Sequence, residues 1–171
     1  MVTIREEKPG DEQEIWGVNQ RAFGGEAETD IIDKLRQTCA NRISLVAVFK
    51  DQVVGHILFT PVIIQGRERS VIGMGLAPMA VLPEFQRQGI GSQLVKTGLD
   101  AIEKVKHPFV IVLGHPTYYP PFGFVPAAKY GIKSEYENVP DDAFMILVFN
   151  LASIKGITGV AKYLPEFASA I

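Results

Sequence analysis

Residues 76–99, LAPMAVLPEFQRQGIGSQLVKTGL, join three local signals that few folds accommodate together. Met79-Ala80-Val81-Leu82 is an apolar, strand-like run ended by Pro83. Gln86-Arg87-Gln88-Gly89-Ile90-Gly91 is a turn rich in glycine and polar residues. From Ile90 onward, apolar residues at Leu94, Val95, Ala101, Ile102 and Val105 follow a helical spacing. A strand that turns tightly into a helix presents backbone N–H groups at the helix N-terminus. Together with the positive end of the helix dipole they form an anion site best suited to phosphate. Gly89 and Gly91 let the backbone approach such a ligand with no Cβ in the way.

The elements around this stretch are legible in order. Val2 to Glu6 alternates as a short strand does, and Pro9-Gly10 ends it. Asp11 with Glu14 fits a capping box for a helix running to about Phe23, with Ile15, Val18 and Ala22 on one face. Gly24-Gly25 separates it from a second helix, about Glu26 to Thr38, with Ile31, Ile32 and Leu35 inward. Two short helices joined by a Gly-Gly hinge read as a movable flap. Three strand-like runs follow, Ile43–Lys50, Val53–Gln65 and Val71–Leu82, with turns at Asp51-Gln52 and Gly66–Arg69, which predicts an antiparallel meander. Gly73, Gly75 and Pro78 lie inside the third run. A strand with this interior is expected to bend and lose pairing near Pro78, leaving the backbone of Met79 to Val81 open. Phe109–Leu113 is an apolar strand, so strand, helix and strand form a parallel crossover. Lys129 to Glu137 is ambiguous, Phe144–Leu151 reads as the final strand, and the tail with Gly156, Gly159 and Pro165 as a loosely packed surface segment. The expected fold class is α/β, a mixed α+β layer with a mostly antiparallel sheet, one parallel βαβ crossover and helices on both faces.

Length and charge narrow the classes. A chain of 171 residues suits one domain, 1–171. Seventeen Lys and Arg against nineteen Asp and Glu give a net charge of −2, without the basic excess of a nucleic-acid surface. One cysteine, Cys39, rules out an internal disulfide and fits a reducing, cytoplasmic setting. The N-terminus is too polar for a signal peptide, and no apolar run reaches the roughly 20 residues of a membrane span. His56, His107 and His115 are scattered without close carboxylate or cysteine partners, so no metal site is expected. The turn lacks the Lys-Ser/Thr of a Walker motif, since Ser92-Gln93 follow Gly91, and it lacks the third glycine of a dinucleotide fingerprint.

Taken together, Gln86-Arg87-Gln88-Gly89-Ile90-Gly91, the preceding Met79-Ala80-Val81-Leu82-Pro83 and Tyr119 four residues before Gly123-Phe124 resemble the GNAT superfamily of acyl-CoA-dependent N-acetyltransferases. LGHPTYYPPFGFVPA is similar to a bacterial subgroup called YhbS-like, and the resemblance covers essentially the whole chain. It implies an enzyme moving an acetyl group from acetyl-CoA to a primary amine of a small molecule or a protein. Met79, Ala80 and Val81 would pair with the pantetheine amides, and Arg87, Gln88, Gly89, Ile90, Gly91 and Ser92 would hold the pyrophosphate. The N–H of Ala80 or Val81 would polarise the thioester carbonyl. Tyr119 would be the general acid, with Tyr118 the alternative, because His115-Pro116-Thr117-Tyr118 replaces the family's usual Asn and Ala. Glu26, Glu28, His56, His115 and a water chain stay open as the base. No nucleic acid and no membrane partner is expected, and a homodimer is left open. A non-catalytic acetyl-CoA sensor on the same fold is the alternative.

Overall fold

The computed structural model describes residues 1–170. By internal contacts the chain forms two compact units. One comprises Met1–Thr60, Ala77–Asp100 and the segment from Pro165; the other comprises Pro61–Leu76 and Ala101–Leu164.

In the first unit, β1 (Thr3–Glu6) leads to the helices α1 (Glu12–Phe23) and α2 (Ala27–Thr38). Then come β2 (Ile43–Phe49), the start of β3 (Gln52–Gly66) and the end of β4 (Ser70–Val81). β1–β2 and β2–β3 are antiparallel, and Phe49 pairs with Gln52. That register places the hairpin turn at Lys50-Asp51, one residue earlier than the sequence suggests. Both residues have positive φ, 48° and 63°, as a type I′ turn requires. The expected capping box also fails. Asp11 is nearly buried, and its carboxylate accepts two bonds from Arg5 (2.7 and 3.0 Å) and one from the Lys8 N–H. Glu14 accepts instead from the Val53 N–H at 2.9 Å, tying α1 to β3. Carboxylates that can cap a helix serve better here by satisfying a guanidinium and a strand-start N–H.

Alternation along β3 decides which helix covers which face. His56 meets Asn19 of α1, whereas a Cβ on Gly55 would touch Leu94 and Ile90. Those residues belong to α3 (Ile90–Lys104), which also comes so close at Gly98 that a Cβ there would lie 2.3 Å from the Phe59 ring. α1 and α3 therefore sandwich this part of the sheet.

In the second unit, β5 (Phe109–Leu113) pairs parallel to β4 over Met74–Leu76, which completes the expected crossover. β6 (Val125–Pro126) and β8 (Phe144–Val148) pair antiparallel to each other, and β8 lies antiparallel to β5. β7 (Ile132–Ser134) lies parallel to β9 (Gly159–Lys162), which runs antiparallel to Ile63–Gly66 of β3. The four-residue helix α4 (Leu151–Ile154) links β8 to β9. The hydrogen-bonding order β1-β2-β3-β4-β5-β8-β6, with β9 beside β3 and β7 beside β9, makes a mixed nine-stranded sheet among the described residues. The fold class is the one the sequence predicts.

The tail is the main correction. The strand at Phe144 ends at Val148 and is not the last. Ile154, Ile157 and Ala161 are buried with Val62, Ile64 and Ile111 in one apolar cluster, so the segment after β8 is core. The ambiguous stretch resolves into a 3-10 turn, Ala127–Tyr130, and β7. Among the described residues no helix is long and apolar enough to cross a membrane.

Candidate active site

The cradle at the start of α3 is built by backbone conformation. A 3-10 turn, Pro83–Phe85, follows β4, and the chain then adopts positive φ at Arg87 (61°) and Gly89 (85°). A Cβ on Gly89 would meet nothing within 4 Å, so glycine is required there by φ and not by crowding. The first α3 bond runs from the Gln93 N–H to the Gly89 carbonyl at 3.0 Å. The Ile90 and Gly91 N–H groups therefore precede the helical ladder, and no acidic residue in the first turn opposes an anion. Gln86, Arg87, Gln88 and Gly89 are exposed, while Ile90 is buried and anchors the helix. Left-handed residues alternating along a loop turn N–H groups toward a common concavity, the geometry that binds phosphate.

The turn before the cradle is fastened on several sides. Arg21 of α1 makes a bidentate pair with Glu84 (2.9 and 2.8 Å), the Phe49 and Phe85 rings lie 5.4 Å apart, and the Leu82 N–H donates to the Val54 carbonyl at 2.9 Å. Arg21 and Phe49 carried no signal in the sequence, because both partners lie far away along the chain.

The strand edge is as open on one side as Pro78 suggests. The parallel ladder with β5 ends at Leu76, and Met79, Ala80 and Val81 continue β4 beyond it. Gln86, the first residue of the motif, donates its Nε2 to the Val81 carbonyl at 2.9 Å. This fixes the direction in which the strand leaves for the turn. Ala80 is buried, and Met79 and Val81 are half-buried.

Tyr119 lies in the second unit, in the proline-rich loop after β5. The Tyr118 N–H donates to the His115 carbonyl, and the 3-10 turn Pro120–Phe122 follows, its end marked by Gly123 at φ 105°. The Tyr119 ring is 7% exposed and packs edge-on against Tyr118 (5.0 Å) and Phe124 (5.6 Å). A Cβ on Gly114 would lie 2.4 Å from this ring, so Gly114 makes the seat that Tyr119 occupies. Burial, with a smaller contribution from Tyr118, pushes the phenol up to about 12. Tyr118 is more open to solvent.

The base candidates separate clearly. His56 is fully buried, and its Nδ1 is occupied by the Asn19 amide (3.2 Å). Its Nε2 lies 2.9 Å from Ser44 Oγ, which donates to Glu7 at 2.5 Å; Arg36 Nε donates to the other Glu7 oxygen at 2.9 Å. The Asn19 Nδ2 also donates to the Ile15 carbonyl, so the proton directions close in one way only: Asn19 to His56, His56 to Ser44, Ser44 to Glu7. His56 is a neutral Nε2–H tautomer with no lone pair for a substrate. Burial, with a lesser effect from Arg36, pulls its pKa down to about 3. Glu26 stands exposed at the N-cap position of α2 without a side-chain capping bond, Glu28 is half-buried on α2 and His115 is exposed. Among the described residues no group of three or more His, Cys, Asp or Glu side chains is placed to hold a metal ion.

A family model described as an acetyltransferase (GNAT) domain matches residues 3–127. The chain is 33% identical over 165 residues to the uncharacterized N-acetyltransferase YhbS of Escherichia coli K12, covering 96% of this chain and 97% of that one. It is 41% identical over 120 residues to the uncharacterized N-acetyltransferase YjhQ of the same strain, spanning 69% of this chain and about two thirds (66%) of YjhQ. The chain belongs to the GNAT acetyltransferase family. The crystal structure of Escherichia coli YhbS in complex with CoA superposes with a TM-score of 0.90 at 31% identity, covering 97% of this chain and 91% of that one. A GNAT family acetyltransferase from Brucella melitensis in complex with acetyl-CoA gives 0.78 at 34% identity, covering 98% of both chains.

The GNAT motif residues expected from the sequence fall into two groups. Met79 to Val81 and Arg87 to Ser92 lie together in the first unit, on β4 and at the α3 N-terminus, and Tyr119 lies in the second. The GNAT motif itself does not announce the partners of His56: Glu7, Asn19, Arg36 and Ser44 are scattered in sequence, and only folding assembles them.

Proposed function

We propose that this chain transfers an acetyl group from acetyl-CoA to a primary amine by direct attack, with no covalent enzyme intermediate. The observation that carries this reading is the cradle: two left-handed residues, Arg87 and Gly89, set at the N-terminus of a long helix with no acid in its first turn. The CoA and acetyl-CoA complexes of relatives that span nearly the whole chain support the same ligand. N–H groups of Arg87 to Ser92 would hold the pyrophosphate, with Arg87 adding charge. The backbone of Met79 to Val81 would pair with the pantetheine amides as an added strand does. Acetyl-CoA supplies an activated thioester; the rest of the chemistry is orientation and proton handling.

Two protons must move. An alkylammonium with a pKa near about 10 loses one to become nucleophilic, and a departing thiolate, whose conjugate thiol has a pKa of roughly 8.5, gains one. Tyr119 is the proposed donor to sulfur. A phenol pushed up to about 12 stays protonated throughout the neutral range. It is also a weak acid, so it serves chiefly as a hydrogen-bond donor whose proton follows as charge builds on sulfur. Neutral His56, its Nδ1 engaged by Asn19, is set aside as the base.

The test is thiol release from acetyl-CoA across a panel of polyamines, amino acids and peptide amines. Tyr119→Phe should lower kcat by about a hundredfold or more, the scale of general acid catalysis, while Tyr118→Phe stays within a few-fold of the parent. The reverse pattern moves the role to Tyr118. Cofactor binding with no thiol release from any amine would make the chain a binding module and defeat the enzymatic reading.

A further inference from the structure

A carboxylate borders the cradle. Glu84 lies three residues before Arg87, so their Cα atoms are at most about 11 Å apart. The Glu84 carbonyl also accepts from the Nε2 of Gln88, a residue of the cradle motif, at 3.2 Å. The screening length is about 10 Å at 0.1 M salt and about 30 Å at 0.01 M, so an ionised carboxylate at this range is felt by a doubly charged pyrophosphate. No acid stands in the first turn of α3, yet the 3-10 turn leading into it carries this one. Left bare, Glu84 would oppose a pyrophosphate in the cradle.

Glu84 is not bare. Arg21, in the last turn of α1 and 63 residues earlier, donates Nη1 and Nη2 to its two oxygens at 2.9 and 2.8 Å. The fork holds the Glu84 carboxyl below its ordinary range, chiefly through the Arg21 hydrogen bond. Both partners sit on anchored backbone. Glu14 of α1 accepts from the Val53 N–H, and Asn19 of α1 meets the buried His56. Beside Glu84, the Leu82 N–H donates to the Val54 carbonyl, and the Phe85 ring lies 5.4 Å from that of Phe49. The two side chains are 49% and 50% exposed, so the pair adds little to the stability of the fold. Its larger consequence is for the charge beside the cradle.

We propose that Arg21 is a positioning residue for cofactor binding: it holds and neutralises Glu84, so that the cofactor's pyrophosphate meets an uncharged neighbour. The inference rests on the cradle being a pyrophosphate site. It gives the end of α1 a part in binding the donor, through Glu84 and with no contact between Arg21 and the cofactor. With the pair intact, the net charge added beside the cradle is zero. Removing Arg21 leaves a charge of −1 there, and removing Glu84 leaves +1.

The experiment is calorimetric titration of acetyl-CoA into the full chain as parent, Arg21→Gln, Glu84→Gln and the double variant, each at about 10 mM and about 1 M NaCl. In low salt Arg21→Gln should bind about threefold or more weaker than the parent, the scale of one charge acting on two at about 10 Å in water. Glu84→Gln should bind no more weakly than the parent, and the double variant should return to within about twofold of it. In high salt, where the screening length falls to about 3 Å, the deficit of Arg21→Gln should shrink to less than about twofold, which loss of a merely structural contact would not produce. Melting temperatures of the four chains should agree within a few degrees. Equal binding by Arg21→Gln and the parent in low salt overturns the proposal. So does a deficit that Glu84→Gln fails to restore, or one that persists undiminished in high salt. Absence of binding by the parent itself overturns the cradle reading and this inference with it, whereas parent binding that is indifferent to Arg21 overturns this inference alone.

Discussion

Three residues carry most of the argument, each through a different physical effect. Gly89 acts through φ alone. With open space around its missing Cβ, Gly89→Ala adds no clash but strains a left-handed backbone by about 1 to 2 kcal/mol. Affinity for CoA should fall by about tenfold, and Gly89→Asn, which tolerates this region, should retain more of it than Gly89→Ala. Equal loss in both variants, measured by calorimetry, would show that the φ argument is wrong. Tyr119 acts through burial. Its folded pKa, about 12, exceeds the ordinary 10, so the folded state holds its proton more tightly. The stability this represents is present below pH 10 and is lost as pH rises from there toward 12. The basic limb of a kcat profile below pH 10 should therefore not report Tyr119, and Tyr119→Phe should leave the position of that limb unchanged. His56 acts in the opposite sense. Its folded pKa, near 3, lies below the ordinary 6.5, so the unfolded chain binds more protons between these values. Stability should fall as pH drops from about 6.5 toward 3, and His56→Gln should flatten that slope in denaturant titrations. Asp11, whose pKa is lowered by its bond with Arg5, contributes only below its ordinary value near 4, so the window between pH 6.5 and 4.5 reports the two histidines that burial lowers, His56 and His107, and the difference made by His56→Gln assigns the share of His56.

At the scale of elements, the sequence reveals those whose periodicity is long and whose partners are near. The twelve-residue helices α1 and α2, the meander and the β4-α3-β5 crossover all fall within a residue or two of expectation. The short strands β6, β7 and β9 do not. A run of two to four residues shows no alternation, and β9 pairs with Ile63–Gly66, nearly a hundred residues earlier in the chain. Glycine and proline around Gly156, Gly159 and Pro165 suggested a loose tail, yet the same residues turn the chain back so that Ile157 and Ala161 reach the core. Asp11 and Glu14 misled for a different reason: the N-cap motif was present, but Arg5 and the Val53 N–H compete for the same oxygens and win. Helix packing gives a test at this scale. Gly98→Ala would place a Cβ 2.3 Å from Phe59 and should destabilise by about 1 to 3 kcal/mol, the usual cost of overpacking. Phe59→Leu in the same chain should recover part of that loss, because the two positions touch.

For the whole molecule, the strand, turn and helix start that form the proposed cofactor cradle were legible because they are written in consecutive residues. Gln86 to Gly91 specify their own backbone, and the fold has only to present it. The roles of Arg21, Phe49 and the chain from Arg36 to Asn19 were not legible, since each depends on residues that folding alone brings together. The comparisons bear on the donor more than on the acceptor: two related structures carry CoA or acetyl-CoA, whereas YhbS and YjhQ are uncharacterized N-acetyltransferases whose names give no acceptor. The central claim is therefore the cradle. Calorimetric titration of acetyl-CoA into the full chain, with thermal unfolding on the same samples, tests it most directly. Saturable binding at one site, a melting temperature that climbs with ligand concentration, and loss of both in Gly89→Val are the predicted results. No heat and no stabilisation at about 1 mM acetyl-CoA, or undiminished binding by Gly89→Val, would contradict it.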